Sequence, residues 1–354
     1  MKNKTAQLLL AIVLTVWLAA CSSPEETTIS AQSTAVLATP TEEAAQLAFD
    51  YTVHSSRTDP ALERRTGVTW EGGYVWTPYV VYEEGTFNLF YNGYGTETRG
   101  IGYATSTDGI EFIRASEEPV LDSTEEGRVI FSPVIYLDED GTWVMFIIND
   151  EARSGLAGDR VMRYQANDPA GPWELSNAGQ PVYEAPDAEH WTANMVIRSV
   201  VVEEDQILLG FDARHDDTIS IGILRSQDGF DFELLSEEPV LTHGAEDSWE
   251  ADAVSAPMLF QTDSGYEMFY MGFIRNSSGR YVGFEGFNLW LGYATSEDGI
   301  TWEKHADNPI MNIEQEQGTA YISAMKVDET YYIYYVYGQG AFGIGAATLT
   351  RTSP

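Results

Sequence analysis

Short runs of Val, Tyr and Phe, broken by charged or glycine-containing turns, dominate the chain after residue 48. Tyr74 to Tyr82 and Thr86 to Tyr91 form two such runs joined by Glu83-Glu84-Gly85, the pattern of a hairpin. Gly100 to Thr105 follows, and Ser106-Thr107-Asp108-Gly109 turns it into Ile110 to Arg114. Four antiparallel strands are therefore predicted between Trp70 and Leu121. The turn returns as Ser226-Gln227-Asp228-Gly229 and Ser296-Glu297-Asp298-Gly299, with Asn167-Asp168-Pro169 as a variant.

A proline closes each of the first four units. Glu-Pro-Val-Leu ends at Leu121, Gln-Pro-Val-Tyr at Tyr183, Glu-Pro-Val-Leu at Leu241 and Asn-Pro-Ile-Met at Met311, while Asp-Pro-Ala-Leu, ending at Leu62, precedes the first unit. The prolines at 60, 119, 181, 239 and 309 are spaced by 59, 62, 58 and 70 residues, a repeat of one supersecondary unit around a shared core. The last unit, 318 to 350, lacks the motif, and Phe49 to Leu62 is a strand without a unit. If the second completes the first, the ring closes and no sheet edge is left open. The expectation is an all-β, five-bladed β-propeller. Its four-stranded antiparallel blades fall at about 70–121, 128–183, 190–241, 248–311 and 318–350, and the N-terminal strand closes the last.

Residues 1–20 read as a targeting segment: Lys2 and Lys4, an apolar run from Leu8 to Leu18, then Leu18-Ala19-Ala20-Cys21. The pattern resembles a bacterial lipoprotein signal with Cys21, the single cysteine, as lipidation site. A plain signal peptide cut nearby and an uncleaved anchor are the alternatives. Residues 21–48 read as the lipidated cysteine and a disordered tether, and 49–354 as the propeller. The localisation expected is the bacterial cell envelope, extracytoplasmic and membrane-attached through lipid. The formal charge is −36; without Lys2 and Lys4, 17 basic residues face 55 acidic ones, or −38. Such a field repels nucleic acid and polyanionic glycans. It suits an acidic surface in a saline or extracellular medium.

In a propeller blade the innermost strand begins, and the second strand ends, on one face. That rule gathers Glu71, His190, Trp191, Trp249, Glu250 and Asp252 from the loops leading into the blades, and Asn92, Asn149, Asp150, Asp212 and Arg214 from the ends of second strands. Trp76 and Arg198 lie on innermost strands. Tryptophans offer stacking platforms for sugars, carboxylates accept their hydroxyls, and Arg198 needs a partner such as Asp212 or Asp252 if buried. His190 beside Trp191 is either an acid–base group or a hydrogen-bonding residue. Asp138-Glu139-Asp140-Gly141 resembles half a calcium loop but lacks a closing Glu and reads as a hairpin turn. No zinc cluster, phosphate-cradling loop or Gly-x-Ser-x-Gly is present, so no cofactor is expected. Carboxylates at the channel leave room for a cation such as calcium.

These units resemble the five-bladed propeller glycosidases of the arabinanase, levansucrase and invertase type. The resemblance spans residues 49–350 and rests on the five units, on Gly102-Tyr103-Ala104-Thr105-Ser106-Thr107-Asp108-Gly109, on Gly292 to Trp302, and on Ser255-Ala256-Pro257-Met258. It implies a glycoside hydrolase acting on neutral poly- or oligosaccharides as a monomer. It also implies three channel acids, whose places here hold Thr77, Ser199 and Ser255, with Ser132 in the second blade. A hydroxyl replaces neither a nucleophilic nor an acidic carboxyl. Either Glu71, Glu250 and Asp252 do the catalysis, or the protein is a non-catalytic carbohydrate-binding lipoprotein. A purely structural or protein-binding propeller is the third reading.

Overall fold

The computed structural model describes residues 47–56, 58–96, 98–122, 130–149, 160–275, 281–282, 288–314, 319–337 and 343–352. Residues 1–46, which include Cys21, the signal segment and all but the last two residues of the expected tether, lie outside the described residues, as does Asp150; Ala48, expected in the tether, is already in a strand. The described residues form five antiparallel sheets arranged as a five-bladed propeller. Their innermost strands are Tyr74–Glu83, Ile130–Leu137, Met195–Val202, Ala253–Thr262 and Thr319–Val327. Among them no helix is long and apolar enough to cross a membrane.

The fourth strand departs from the expected continuous Ile110 to Arg114. It is two short pieces: in blade 1, Ile113–Arg114 pairs with one end of Arg99–Ser106 and Leu121–Asp122 with the other. The second piece is the proline motif, whose repeat thus marks half of each outer edge. Blade 5 differs because Ala48–Val53 pairs along Gly343–Thr352, from Ala48 opposite Thr352 to Val53 opposite Ala347. Leu62–Glu63 takes the motif's usual place opposite Ile344 and Gly343. The N-terminal strand closes the last blade.

Five buried apolar clusters hold the ring, one at each seam between neighbouring blades. The seam between blades 1 and 5 has Leu62, Val75, Leu89, Tyr334 and Ile344 in one such cluster, so the closing contact is as hydrophobic as the others. Asp138-Glu139-Asp140-Gly141 is the expected turn: the Asp138 amide bonds to the Thr142 carbonyl between the first two strands of blade 2. The three Ser-x-Asp-Gly turns share one construction. In the last, Asp298 Oδ1 accepts from the amides of Ile300 and Thr301, each at 2.8 Å, and Ser296 Oγ caps Gly299 at 2.9 Å.

Candidate functional site

Each innermost strand carries a bulge at the same level, near the channel. The first bulged residue is Thr77, Ser132, Ala256 or Tyr321, with φ of 43°, 57°, 53° and 56°. Blade 3 is the exception, because the β-branched Ile197 stands at this level and takes no positive φ. The register also corrects the spacing argument for Ser199: Ile197 is level with Thr77, and Ser199 lies two positions further, opposite Gly210.

The hydroxyls at these places are used to join blades. Thr77 Oγ1 donates to Asn92 Oδ1 at 2.5 Å, which also accepts from the Ser132 amide of blade 2 at 3.0 Å. Ser132 Oγ donates to the Ile197 carbonyl of blade 3 and Ser199 Oγ to the Pro257 carbonyl of blade 4, both at 2.8 Å. Asp212, level with Asn92, repeats the device: Oδ2 accepts from Ser255 Oγ at 2.8 Å and from the Ala256 amide at 2.9 Å. Arg198 completes it, with Nε 2.6 Å from Asp212 Oδ2 and a second nitrogen 3.3 Å from Oδ1. The Arg198 and Asp212 side chains are 9% and 7% exposed, so this is a nearly desolvated, two-pronged pair.

Around that pair stand aromatic rings from three blades. The Tyr321 ring lies 4.6 Å from that of Trp76, 5.8 Å from that of Phe131 and 5.3 Å from the Arg198 guanidinium carbon. Trp76 also meets Tyr94 at 5.8 Å, and Tyr74, 41% exposed, meets both. The Trp76 indole N–H is buried without a hydrogen-bond partner, which costs about 1–3 kcal/mol and marks the cluster as less than optimal for stability alone. Sequence reasoning named Trp76, Arg198 and Asp212 as candidates but not Tyr321. Its blade lacks the Pro that accompanies the bulge in blades 1, 2 and 4, so nothing local advertised the position.

The remaining candidates sit in the loops leading into the blades, in repeated settings. Glu71 is fully buried and ion-paired to Arg65 and Arg114, the latter at 2.9 Å, and it accepts from Tyr91 Oη at 2.8 Å. Burial raises the Tyr91 pKa well above the usual phenol range despite Arg114. Glu250 repeats the arrangement, 2.7 Å from Lys304 Nζ and coupled to Tyr270, whose pKa burial and then Glu250 push up. Tyr270 is opposite Gly292 as Tyr91 is opposite Gly102, and Lys304 is opposite Ala294 as Arg114 is opposite Ala104. Glu250 Oε2 has no hydrogen-bond partner, and Gly244 stands where Arg65 stands in blade 1, five residues before the Trp. In blade 3 Thr192, Phe211 and Leu234 fill the equivalent positions without charge.

Trp70 and Trp191 likewise serve their blades. Their indole N–H groups donate to the carbonyls of Glu117 and Glu237, at 3.0 and 2.9 Å, and their rings stack on Tyr91 and Phe211. Trp249 lies over Tyr270 at 5.8 Å and against Gly272, where a side chain would collide with it. His190 Nδ1 is 2.9 Å from Thr192 Oγ1, and Asp252 Oδ2 accepts from the Arg275 amide at 2.5 Å. The structure thus brings Trp76, Arg198 and Asp212 together and leaves Glu71, Glu250, Asp252, His190, Trp191 and Trp249 in the loops of their own blades. Among the described residues no group of three or more His, Cys, Asp or Glu side chains is placed to hold a metal ion.

No family profile matches the chain. A 106-residue stretch is 34% identical to a 1,2-β-oligomannan phosphorylase of Thermoanaerobacter; it spans 28% of this chain and 34% of that enzyme, so only about a third of the relative is matched. Solved structures match far more of the chain at low identity. A glycosyl hydrolase from Bacteroides ovatus is 15% identical over 84% of this chain and 93% of its own, with a TM-score of 0.59. A glycoside hydrolase of the GH130 mannoside phosphorylase family, targeting β-1,2 mannosidic linkages in Candida mannan, is 15% identical over 86% and 94%, with a TM-score of 0.60. A thermostable family-43 glycoside hydrolase is 17% identical over 80% and 92%, with a TM-score of 0.55. The chain therefore has the five-bladed propeller fold on which these glycosidases are built.

Proposed function

We propose that this protein recognises and processes neutral oligosaccharides at the mouth of the propeller channel, with β-1,2-linked mannosides the first class to test. The observation that carries the reading is the meeting of Trp76, Phe131 and Tyr321 over the Arg198–Asp212 pair. Aromatic rings beside a fixed, charged hydrogen-bonding pair supply what a sugar requires: an apolar face to lie on and directed polar partners. The matched stretch of a 1,2-β-oligomannan phosphorylase and the fold of the mannan-targeting hydrolase suggest the linkage.

Two chemistries fit this frame. Hydrolysis needs two carboxyl groups across the scissile bond. Phosphorolysis needs one fewer from the protein, since phosphate is the nucleophile. A non-catalytic role is the second reading, favoured by the hydroxyls that the sequence offers in place of the channel acids: Thr77 is bonded to Asn92 within blade 1, and Ser199 and Ser255 are bonded to the neighbouring blades. Cys21 would carry lipid and hold the propeller at the cell envelope, a reading supported by Leu18-Ala19-Ala20-Cys21 after a short apolar run.

Calorimetric titration with β-1,2-mannotetraose, followed by product analysis with and without inorganic phosphate, tests the proposal. Binding is expected, and Arg198→Ala should weaken it by about 5- to 150-fold, the equivalent of roughly 1–3 kcal/mol for a charged hydrogen bond. Binding without turnover in either buffer selects the non-catalytic reading. Failure to bind β-mannosides, arabinosides, xylosides and fructosides alike overturns the proposal.

A further inference from the structure

At the end of the propeller opposite the channel mouth, blade 4 holds a cleft of about 550 Å³. The hairpin Thr262 to Gly265 forms one wall and the turn Ser296 to Trp302 the other. Gly265 makes the approach feasible: its φ is +128°, and a side chain there would run into the Ser296 carbonyl. Arg351 of blade 5 closes the cleft on the seam side.

Blade 3 has a cleft of about 600 Å³ between the corresponding hairpin and turn, and the repeat shows what differs. Both linings carry charge, and Glu233 and Asp228 of blade 3 recur as Glu303 and Asp298, but blade 3 adds Arg225 and Asp231. In blade 4, Thr295 stands at the position of Arg225 and Thr301 at that of Asp231. The buried Phe232, 5% exposed, gives way to a half-buried Trp302, and Ile207, 9% exposed, to a half-buried Tyr266. Blade 1 keeps Phe87 and Phe112 at these two positions, 3% and 8% exposed, so of these three blades only blade 4 brings a ring at both positions to its cleft.

Both rings are fixed. Trp302 Nε1 donates to the Gly299 carbonyl at 2.8 Å and Tyr266 Oη donates to Glu203 at 2.9 Å; both half-buried rings pack against the seam between blades 3 and 4 and line the cleft with the surface left over. Two charged groups of the lining are already committed: Asp298 to its own turn, and Arg351 to Glu267 and the Tyr293 hydroxyl. The rest of the lining is threonine and serine hydroxyls, the Tyr293 ring and the exposed carboxylates of Glu297 and Glu303.

We propose that this cleft is a second saccharide site, taking a neutral sugar through Trp302 and Tyr266. It lets a long glycan be held at one end of the propeller while a chain end occupies the other. The inference rests on the reading that the protein handles neutral oligosaccharides, but it concerns different residues.

Calorimetry on the full chain with β-1,2-mannotetraose should show two equivalents bound. Trp302→Ala should remove one, with at least a tenfold loss of affinity at that site, while Trp302→Phe retains it in weakened form. Arg198→Ala should remove the other and leave the Trp302-dependent equivalent intact. Thr295→Arg with Thr301→Asp, the blade 3 pair, blocks the cleft without touching the core; it should match Trp302→Ala and decides the matter should that variant unfold. One equivalent, lost in Arg198→Ala and untouched by the cleft variants, overturns this inference alone. No binding of the tetraose in any form of the protein overturns it together with the mouth reading.

Discussion

Glu71→Thr separates a structural carboxylate from a catalytic one. The Glu71 side chain has no exposed surface, and Arg65, Arg114 and Tyr91 converge on it; the Arg114 side chain is itself only 15% exposed. Removing the carboxylate leaves Arg114 and the Tyr91 hydroxyl short of their partner in a desolvated place. The cost expected for breaking a buried pair from one side is about 3–5 kcal/mol. Arg65 keeps its contact with the exposed Glu117, so its share is small. At about 2 °C per kcal/mol for a domain of this size, the melting temperature should fall by roughly 6–10 °C. Blade 3 supplies the remedy. Its Thr192, Phe211 and Leu234 stand at the positions of Glu71, Tyr91 and Arg114, so the triple variant Glu71→Thr, Tyr91→Phe, Arg114→Leu should regain most of that loss, as paired removal of buried charge usually does. Urea titration and thermal melts measure both. A Glu71→Thr protein that melts with the wild type but loses glycan turnover would refute the reasoning and return Glu71 to the chemistry.

Three further outcomes follow from the same geometry. Deleting residues 22–45 should leave the melting temperature unchanged, whereas deletion through residue 63 exposes the outer edge of Gly343–Thr352 and should cause aggregation, read by light scattering; equal behaviour of the two would contradict ring closure. Asp108, Asp228 and Asp298 have pKa values lowered chiefly by backbone amides of their turns, so their contribution is present above the unfolded value of about 3.9 and lost as pH falls through the lower folded values. The urea midpoints of wild type and the triple Asn variant should therefore differ at pH 6 and converge near pH 2, and a constant difference would disprove the coupling. Cys21→Ser should shift the protein from the membrane fraction to the soluble one, and mass spectrometry showing an unmodified Cys21 in the wild type would end the lipoprotein reading.

Much of the architecture was legible because each blade repeats the same local chemistry. Glu83-Glu84-Gly85 and the Ser-x-Asp-Gly turns fix hairpins through backbone rules that need no tertiary information. The orphan proline at 60 exposed the closure because a repeat makes a missing copy visible. The split fourth strand was not legible: Ile113–Arg114 and Leu121–Asp122 pair with two ends of one strand, and that depends on the path between them rather than on either segment's pattern.

The site was harder to read, and the reason is physical. Trp70-Glu71 and Trp249-Glu250 carry the residue types of a sugar site, yet the same types serve a loop that must bury a polar turn against a sheet. Only the partners decide, and Arg114 and Lys304 lie more than forty residues away. Arg198 was the opposite case, since a guanidinium on a channel strand needs a carboxylate wherever the strand leads, and Asp212 was already on the same face. Tyr321 shows where sequence reasoning ends. Its ring touches blades 1 and 2 and the Arg198 of blade 3, because a bulge with φ of 56° turns it toward the axis. A left-handed tyrosine costs roughly 1–3 kcal/mol of local strain, and what offsets it is spread over three other blades. A residue whose conformation is decided by partners on three other units has no local signature, and it is at such residues that a repeated scaffold acquires a single, non-repeated site.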